Sequence, residues 1–119
     1  MGYRSEVKSL IYGSYDDMAK FKTDNAELCE QLAEDFGADI EQLNNGVYEI
    51  IYLDVEYSKW YDSYSEVIRW NNLLSLAQEA TLMTEFVRIG EDSEGDIETD
   101  YTGDCAYYLQ TECHIVANF

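Results

Sequence analysis

Carboxylates are the chemistry-bearing side chains of this sequence, and two sets of them recur at regular spacing. Every even position from 92 to 100 is an acid, namely Asp92, Glu94, Asp96, Glu98 and Asp100. Alternate residues of an extended segment share one face, so these side chains would form a row with a spacing of about 6.6 Å. A second set recurs at the three- and four-residue spacing of one helical face. Its members are Asp24, Glu27, Glu30 and Glu34.

Ordered rows of carboxylates resemble the phosphate track of a nucleic acid. Each strand of duplex DNA carries one negative charge per about 3.4 Å of helix axis, and a protein that grips DNA presents lysine and arginine to it. The pattern therefore predicts a basic nucleic-acid-binding protein as the partner, contacted by these nine acids. Two alternatives stay open. One is an accessory protein that binds its partner through shape and aromatic side chains such as Trp60, and the other is a weak divalent-cation module.

Motifs for catalysis and for tight metal binding are absent from the sequence. Counted from Asp92, an EF-hand loop would need glycine at Ile97 and glutamate at Gly103. There is no HExxH, no glycine-rich phosphate loop and no serine or cysteine nucleophile motif. The single histidine, His114, follows Cys113, and neighbouring strand residues point to opposite faces. We expect no enzymatic activity, no cofactor and no dedicated metal site.

The composition excludes several classes of protein. The 119 residues include 25 acids and 7 bases, for a formal net charge of −18. Such a chain cannot hold nucleic acid through its own phosphate contacts, and we expect no binding to an anionic membrane. With 46% hydrophobic and 14% aromatic residues it has the material for a core, unlike an acidic disordered tail. No apolar run approaches the roughly 20 residues of a membrane span.

The charge is also unevenly distributed. Residues 1–23 hold three acids and four bases, whereas the rest of the chain holds 22 acids and three bases. Solubility needs a net charge of only about 2 to 8 in a small domain, and self-repulsion destabilises the compact state. The excess predicts an electrostatic function, although adaptation to high salt would also explain it.

The cysteines indicate a reducing environment. Cys29, Cys105 and Cys113 are odd in number and form no CxxC pair. On one strand, Cys105 and Cys113 would lie about 26 Å apart, too far for a disulfide. We expect three reduced thiols in a cytoplasmic protein.

The elements that must position the acids follow from periodicity and turn signals. Residues 7–12, 47–57, 84–89 and 104–117 are predicted strands, the second of them central and covered on both faces. Ser14 with Asp17 predicts the start of one helix over residues 16–36, ended by Gly37. Ser63 and Glu66 predict a capping box for a second helix. Its buried stripe would be Val67, Trp70, Leu73, Leu74, Ala77 and Ala80.

The resulting element order is βαβαββ, with the acidic segment between the last two strands as a loop or as strand extensions. This order predicts a single α+β domain over residues 1–119. Its mostly antiparallel four-stranded sheet would carry both helices on one face.

Three segments together resemble a family of small phage-encoded proteins. They are residues 1–7 (MGYRSEV), residues 59–67 (KWYDSYSEV) and residues 86–98, which begin FVRIGED and end DIE. The resemblance covers about a third of the chain and implies a phage or prophage origin and the cytoplasm of a host bacterium, with no catalytic residues. Small, very acidic phage proteins are similar in kind to DNA-mimicking inhibitors of restriction enzymes and CRISPR complexes. The sequence hypothesis is therefore an anti-defence inhibitor, with a CRISPR effector as the first choice of target.

Overall fold

The structure, a computed structural model, describes residues 5–61, 63–90, 97–111 and 115–119. Within these ranges the chain is α+β, as predicted, with three helices and a five-stranded antiparallel sheet. In chain order the elements are β1 (Ser5–Gly13), α1 (Tyr15–Asp24), α2 (Ala26–Phe36), a short 3-10 turn (Gly37–Asp39), β2 (Ile40–Asn44), β3 (Glu49–Ser58), α3 (Ser65–Glu79), β4 (Met83–Gly90), β5 (Ile97–Thr102), β6 (Leu109–Thr111) and β7 (Ile115–Ala117). The strand order is β2-β3-β1-β4-β5, and β6 and β7 form a separate hairpin.

The first strand is the centre of the sheet, and its side chains alternate between two cores. β1 pairs antiparallel with β3 on one side and with β4 on the other. Val7 and Ile11 belong to the core beneath the helices, together with Trp70 and Leu73. We call the opposite side of the sheet the second face. The prediction that the strand over 47–57 lies inside the sheet and is covered on both faces is confirmed, because β3 has a neighbour on each side and contributes to both cores; the middle strand itself is β1.

The predicted single helix over 16–36 is broken at Asn25. The start is confirmed, because the Ser14 hydroxyl accepts a hydrogen bond of 3.2 Å from the Asp17 amide. At Asn25 both the main-chain N–H and the side-chain amide donate to the carbonyl of Phe21, at 3.1 and 2.9 Å. A short amide side chain that bonds the backbone in this way competes with helix propagation, so α1 ends and α2 begins at Ala26.

The second predicted helix is present as α3, but its start differs from the prediction. The N-cap is Tyr64, and no side chain caps the helix, so the capping box of Ser63 and Glu66 is wrong. The apolar stripe is confirmed from Val67 to Ala77, whereas Ala80 is exposed and follows the last helical residue.

The C-terminal part departs most from the prediction. The strand predicted over 104–117 is wrong, because β6 and β7 form a hairpin that packs on the second face with Leu109 and Ile115 buried. The sheet reaches five strands through β2 and through β5, which is formed by part of the acidic segment and pairs with β4. Both faces of the sheet are thus covered, one by helices and one by the chain's own C-terminal segment.

Candidate partner-binding surface

The helical acids lie on the outside of the α1–α2 unit. Glu27, Glu30 and Glu34 are exposed on α2, at the spacing of one helical face. The opposite side of α2 holds Leu32, which is fully buried, and packs against α3 and β2. Asp24 is exposed as well, but it is the last residue of α1, before the break at Asn25. The predicted row is therefore a helical row of three acids with a fourth across the helix junction.

The late acids are described only in part. Asp92, Glu94 and Asp96 lie outside the described residues. Glu98 and Asp100 are exposed on β5, where alternate positions place them on the same side of the strand. They lie opposite Arg88 and Phe86 of β4 in the strand register, which is the face of the sheet that carries the helices.

The two sets of acids occupy opposite edges of the helix-covered face. α2 packs against β2, at one edge of the sheet, and β5 forms the other edge. Four inter-strand spacings of about 4.8 Å separate these edges, or roughly 19 Å. The two sets are thus separate acidic patches, and we refer to the patch of Asp24, Glu27, Glu30 and Glu34 as the helical patch.

Three cations among the described residues pair with acids within the fold. Lys8 pairs with Asp54 at 2.7 Å, and Lys22 pairs with Glu49. Arg69 on α3 donates two hydrogen bonds to the carboxylate of Asp35 on α2, from Nε at 2.6 Å and from Nη2 at 2.8 Å. These bonds stabilise the charged carboxylate and lower the pKa of Asp35. The acids of these three pairs, Asp54, Glu49 and Asp35, lie outside the helical patch.

Exposed acids greatly outnumber exposed bases in the described residues. Thirteen acids are exposed: Asp16, Asp17, Asp24, Glu27, Glu30, Glu34, Asp39, Glu41, Glu56, Glu79, Glu98, Asp100 and Asp104. Over the same ranges Lys20 is the one exposed base. The exposed surface of the described residues is therefore strongly anionic.

One acid has a purely internal position that the sequence analysis missed. Glu85 on β4 is fully buried on the second face. Its Oε2 accepts hydrogen bonds from the Tyr12 hydroxyl and from the Tyr108 amide at 3.1 Å, and its Oε1 accepts one from the Leu109 amide at 2.9 Å. The Tyr12 oxygen in turn accepts from the Ala106 amide at 2.8 Å. We call this group the Glu85 clasp, since it holds the C-terminal segment against the sheet.

A signal for the clasp exists in the sequence. Glu85 alternates with Val87 and Ile89 on one face of an otherwise apolar strand, which marks a carboxylate that faces a core. Burial and the hydrogen bond to Glu85 raise the pKa of Tyr12 far above its ordinary value.

Burial also raises the pKa of the Cys105 thiol. Cys29 and Cys105 are free thiols, and Cys113 and His114 lie outside the described residues.

The aromatic residues divide between core and surface. Trp60 is buried between Phe36 and Phe86, so it is unavailable as the surface contact that the aromatic alternative requires. Tyr64 and Ile68 are 36% and 46% exposed at the start of α3. Tyr15 and Tyr107 are exposed as well, so the exposed aromatic side chains lie at separate places on the surface.

No group of three or more metal-ligating side chains is present among the described residues. None of the helices in this part of the chain combines the length and the apolar composition needed to span a bilayer. Comparison of the chain with protein-family models, with curated proteins and with solved structures gives no match.

Proposed function

We propose that the chain is an acidic inhibitor that occupies the basic, nucleic-acid-binding surface of a partner protein. The observation that carries the proposal is the contrast between thirteen exposed acids and one exposed base in the described residues. A surface of this kind attracts proteins that expose lysine and arginine, because complementary potentials steer encounter and favour the matching partner.

The helical patch is the preferred contact within this surface. Its three acids on α2 are carried by a helix that packs against α3 and is tied to it by the Arg69–Asp35 pair. Neighbouring acids on one helical face lie about 5–6 Å apart, a spacing comparable to that of backbone phosphates. A rigid element holds such a row at fixed spacing, as recognition by a DNA-gripping surface requires.

The biological setting of the proposal is bacteriophage infection. The resemblance of three segments to small phage-encoded proteins supports an origin of this kind, and the host cytoplasm is then the compartment. In that setting the basic surface belongs to a host immune complex, and a CRISPR effector is the first target to test. The inhibitor would block target DNA by occupying its binding site.

Displacement of DNA tests this proposal directly. Fluorescently labelled duplex DNA is bound to a purified CRISPR effector or restriction enzyme, and the chain is titrated in while anisotropy is followed. We expect competitive release of DNA that weakens steeply between about 50 and 200 mM salt, because the contacts are charged and exposed. Absence of release from every complex of either kind would contradict the proposal.

The exposed pair Tyr64 and Ile68 favours a second candidate, an accessory protein that binds a host factor through aromatic and apolar contacts. Tyrosine supplies apolar area with a polar tip and is enriched among interface anchors. Under this candidate Tyr64→Ala and Ile68→Ala weaken binding to the partner, whereas Glu30→Gln and Glu34→Gln leave it unchanged. The opposite pattern favours the acidic inhibitor.

A further inference from the structure

A groove runs beside the junction of α1 and α2, along the C-terminal half of α3. It consists of two adjoining depressions, of about 410 and 500 Å³, which share Asp24, Asn25 and Leu76 among their lining residues. Clefts of roughly 300–1,000 Å³ are the usual size of sites that accept small ligands.

The groove has a lining of mixed apolar and polar character and an acidic rim. Phe21 is buried in the floor, Leu28 and Leu76 are half-buried, and Ala80 is exposed at one end. The rim carries four exposed acids: Asp17, Asp24, Glu27 and Glu79. Against these four acids, the lining residues of the two depressions include a single base, Lys20. Half-buried leucines beneath an excess of negative charge match a side chain that is long, apolar along its stem and cationic at its tip.

The helix ends add to this charge pattern. α1 and α3 both end at the groove, and the C-terminal end of a helix carries a partial negative charge. The last turn of α3 has no basic residue, and Lys22 in the last turn of α1 is engaged with Glu49. α2 begins at the same place, and the partial positive charge of its first turn offsets part of this effect.

We propose that this groove receives an arginine side chain on an exposed segment of the basic partner. The inference rests on the proposed function and names the contact within it. The arginine stem lies along Leu76 and Leu28, as long charged side chains do over apolar surface. Its planar guanidinium bonds Asp24 together with Glu27 or Glu79, which the compact ammonium of lysine matches less well.

Nuclear magnetic resonance on the whole ¹⁵N-labelled chain tests the inference with two short synthetic peptides. In one, arginine alternates with serine, and in its twin lysine replaces arginine. We expect the arginine peptide to shift the amide signals around residues 21–28 and 76–80 and to bind about tenfold more tightly than its twin. Leu76→Ala, which leaves the charge unchanged, should weaken the arginine peptide about tenfold, whereas Val47→Ala, an exposed apolar control outside the groove, should not.

A second pair of variants guards against a folding defect in Leu76→Ala. Ala80→Lys places an internal cation at the groove and should abolish the localised shifts, whereas Ala38→Lys makes the same charge change in the turn after α2 and should keep them. Shifts spread over all exposed acids, with equal affinity for both peptides and no effect of Leu76→Ala or Ala80→Lys, would overturn the groove while leaving the acidic inhibitor intact. Localised binding without any displacement of DNA from defence complexes would instead overturn the proposed function.

Discussion

Replacement of Glu85 by glutamine probes the clasp that holds the C-terminal segment to the sheet. The two carboxylate oxygens of Glu85 accept three hydrogen bonds, from the Tyr12 hydroxyl and from two main-chain amides. Glutamine has nearly the same shape but only one acceptor oxygen. Whichever way its amide is oriented, its NH₂ group meets an amide donor of Tyr108 or Leu109, and at least one buried donor is left without an acceptor.

The expected loss of stability follows from that count. An unsatisfied buried donor costs about 1–3 kcal/mol, so we expect Glu85→Gln to lower the free energy of unfolding by about 2 kcal/mol. Tyr12→Phe keeps two of the three bonds and should cost about 1–2 kcal/mol. Glu85→Ala removes all three and leaves a cavity, for which we expect roughly 3–5 kcal/mol. The three variants thus form a graded series.

Urea unfolding at neutral pH, followed by circular dichroism, measures the series. The matched control is Glu79→Gln, which makes the same chemical change at an exposed position and should stay within about 0.5 kcal/mol of the wild type. A double-mutant cycle of Tyr12→Phe and Glu85→Gln should show coupling between the two side chains. If Glu85→Gln unfolds with the wild-type midpoint and slope, the clasp does not hold the C-terminal segment and the reasoning is refuted.

Three further predictions concern pH and backbone geometry. Because Arg69 lowers the pKa of Asp35, the stability from this pair is present above the ordinary carboxyl pKa and is lost as pH falls below about 4. The free energies of unfolding of wild type and Arg69→Met should therefore converge in that range. Curves that stay parallel as pH falls would contradict this. Because the pKa of Tyr12 is raised, its contribution is present below the ordinary tyrosine pKa of about 10 and declines above it, so Tyr12→Phe should lose less stability between about pH 9 and pH 11 than wild type. Gly46 and Gly103 both have positive φ, but of the two only Gly103 would place a Cβ against main-chain atoms, at 3.3 Å. By urea unfolding, Gly46→Ala should lower the free energy of unfolding by about 1 kcal/mol and Gly103→Ala by about 2 kcal/mol or more. Equal losses for the two variants would argue against crowding at Gly103.

The sequence identified the elements that have strong local signals. The apolar residues of β1 and β3, the stripe of α3 and the Ser14 cap are all local patterns, and each appears in the structure. The break at Asn25 was not predicted, because the apolar periodicity of the segment continues on both sides of it. The helix is interrupted there by the hydrogen bond from the Asn25 side chain to the Phe21 carbonyl. Helical spacing alone carries no information on that bond.

The missed strands depend on contacts distant in sequence. β5 is exposed along most of its length and four of its six residues are acids or threonines, so its strand character comes from its pairing with β4. The C-terminal hairpin packs on the second face because Glu85 accepts from Tyr108 and Leu109, more than 20 residues away. That most of the acids are exposed could be predicted from the composition of the chain. That they form two separate patches could not, because this depends on the order of the strands in the sheet.

The most direct test of the central claim compares two triple variants of equal charge. In one, Glu27, Glu30 and Glu34 of the helical patch become glutamine. In the other, Glu41 and Glu56 on the second face become glutamine, and Asp104 becomes asparagine. Exposed ion pairs contribute roughly 0.2–1 kcal/mol each, so loss of three at a real interface weakens DNA displacement by about threefold to about a hundredfold. We predict that the variant with three glutamines in the helical patch displaces DNA more weakly and with a shallower salt dependence, while the control triple behaves as wild type. Equal behaviour of the two variants would contradict the claim that the arrangement of these acids, and not their number, carries the function.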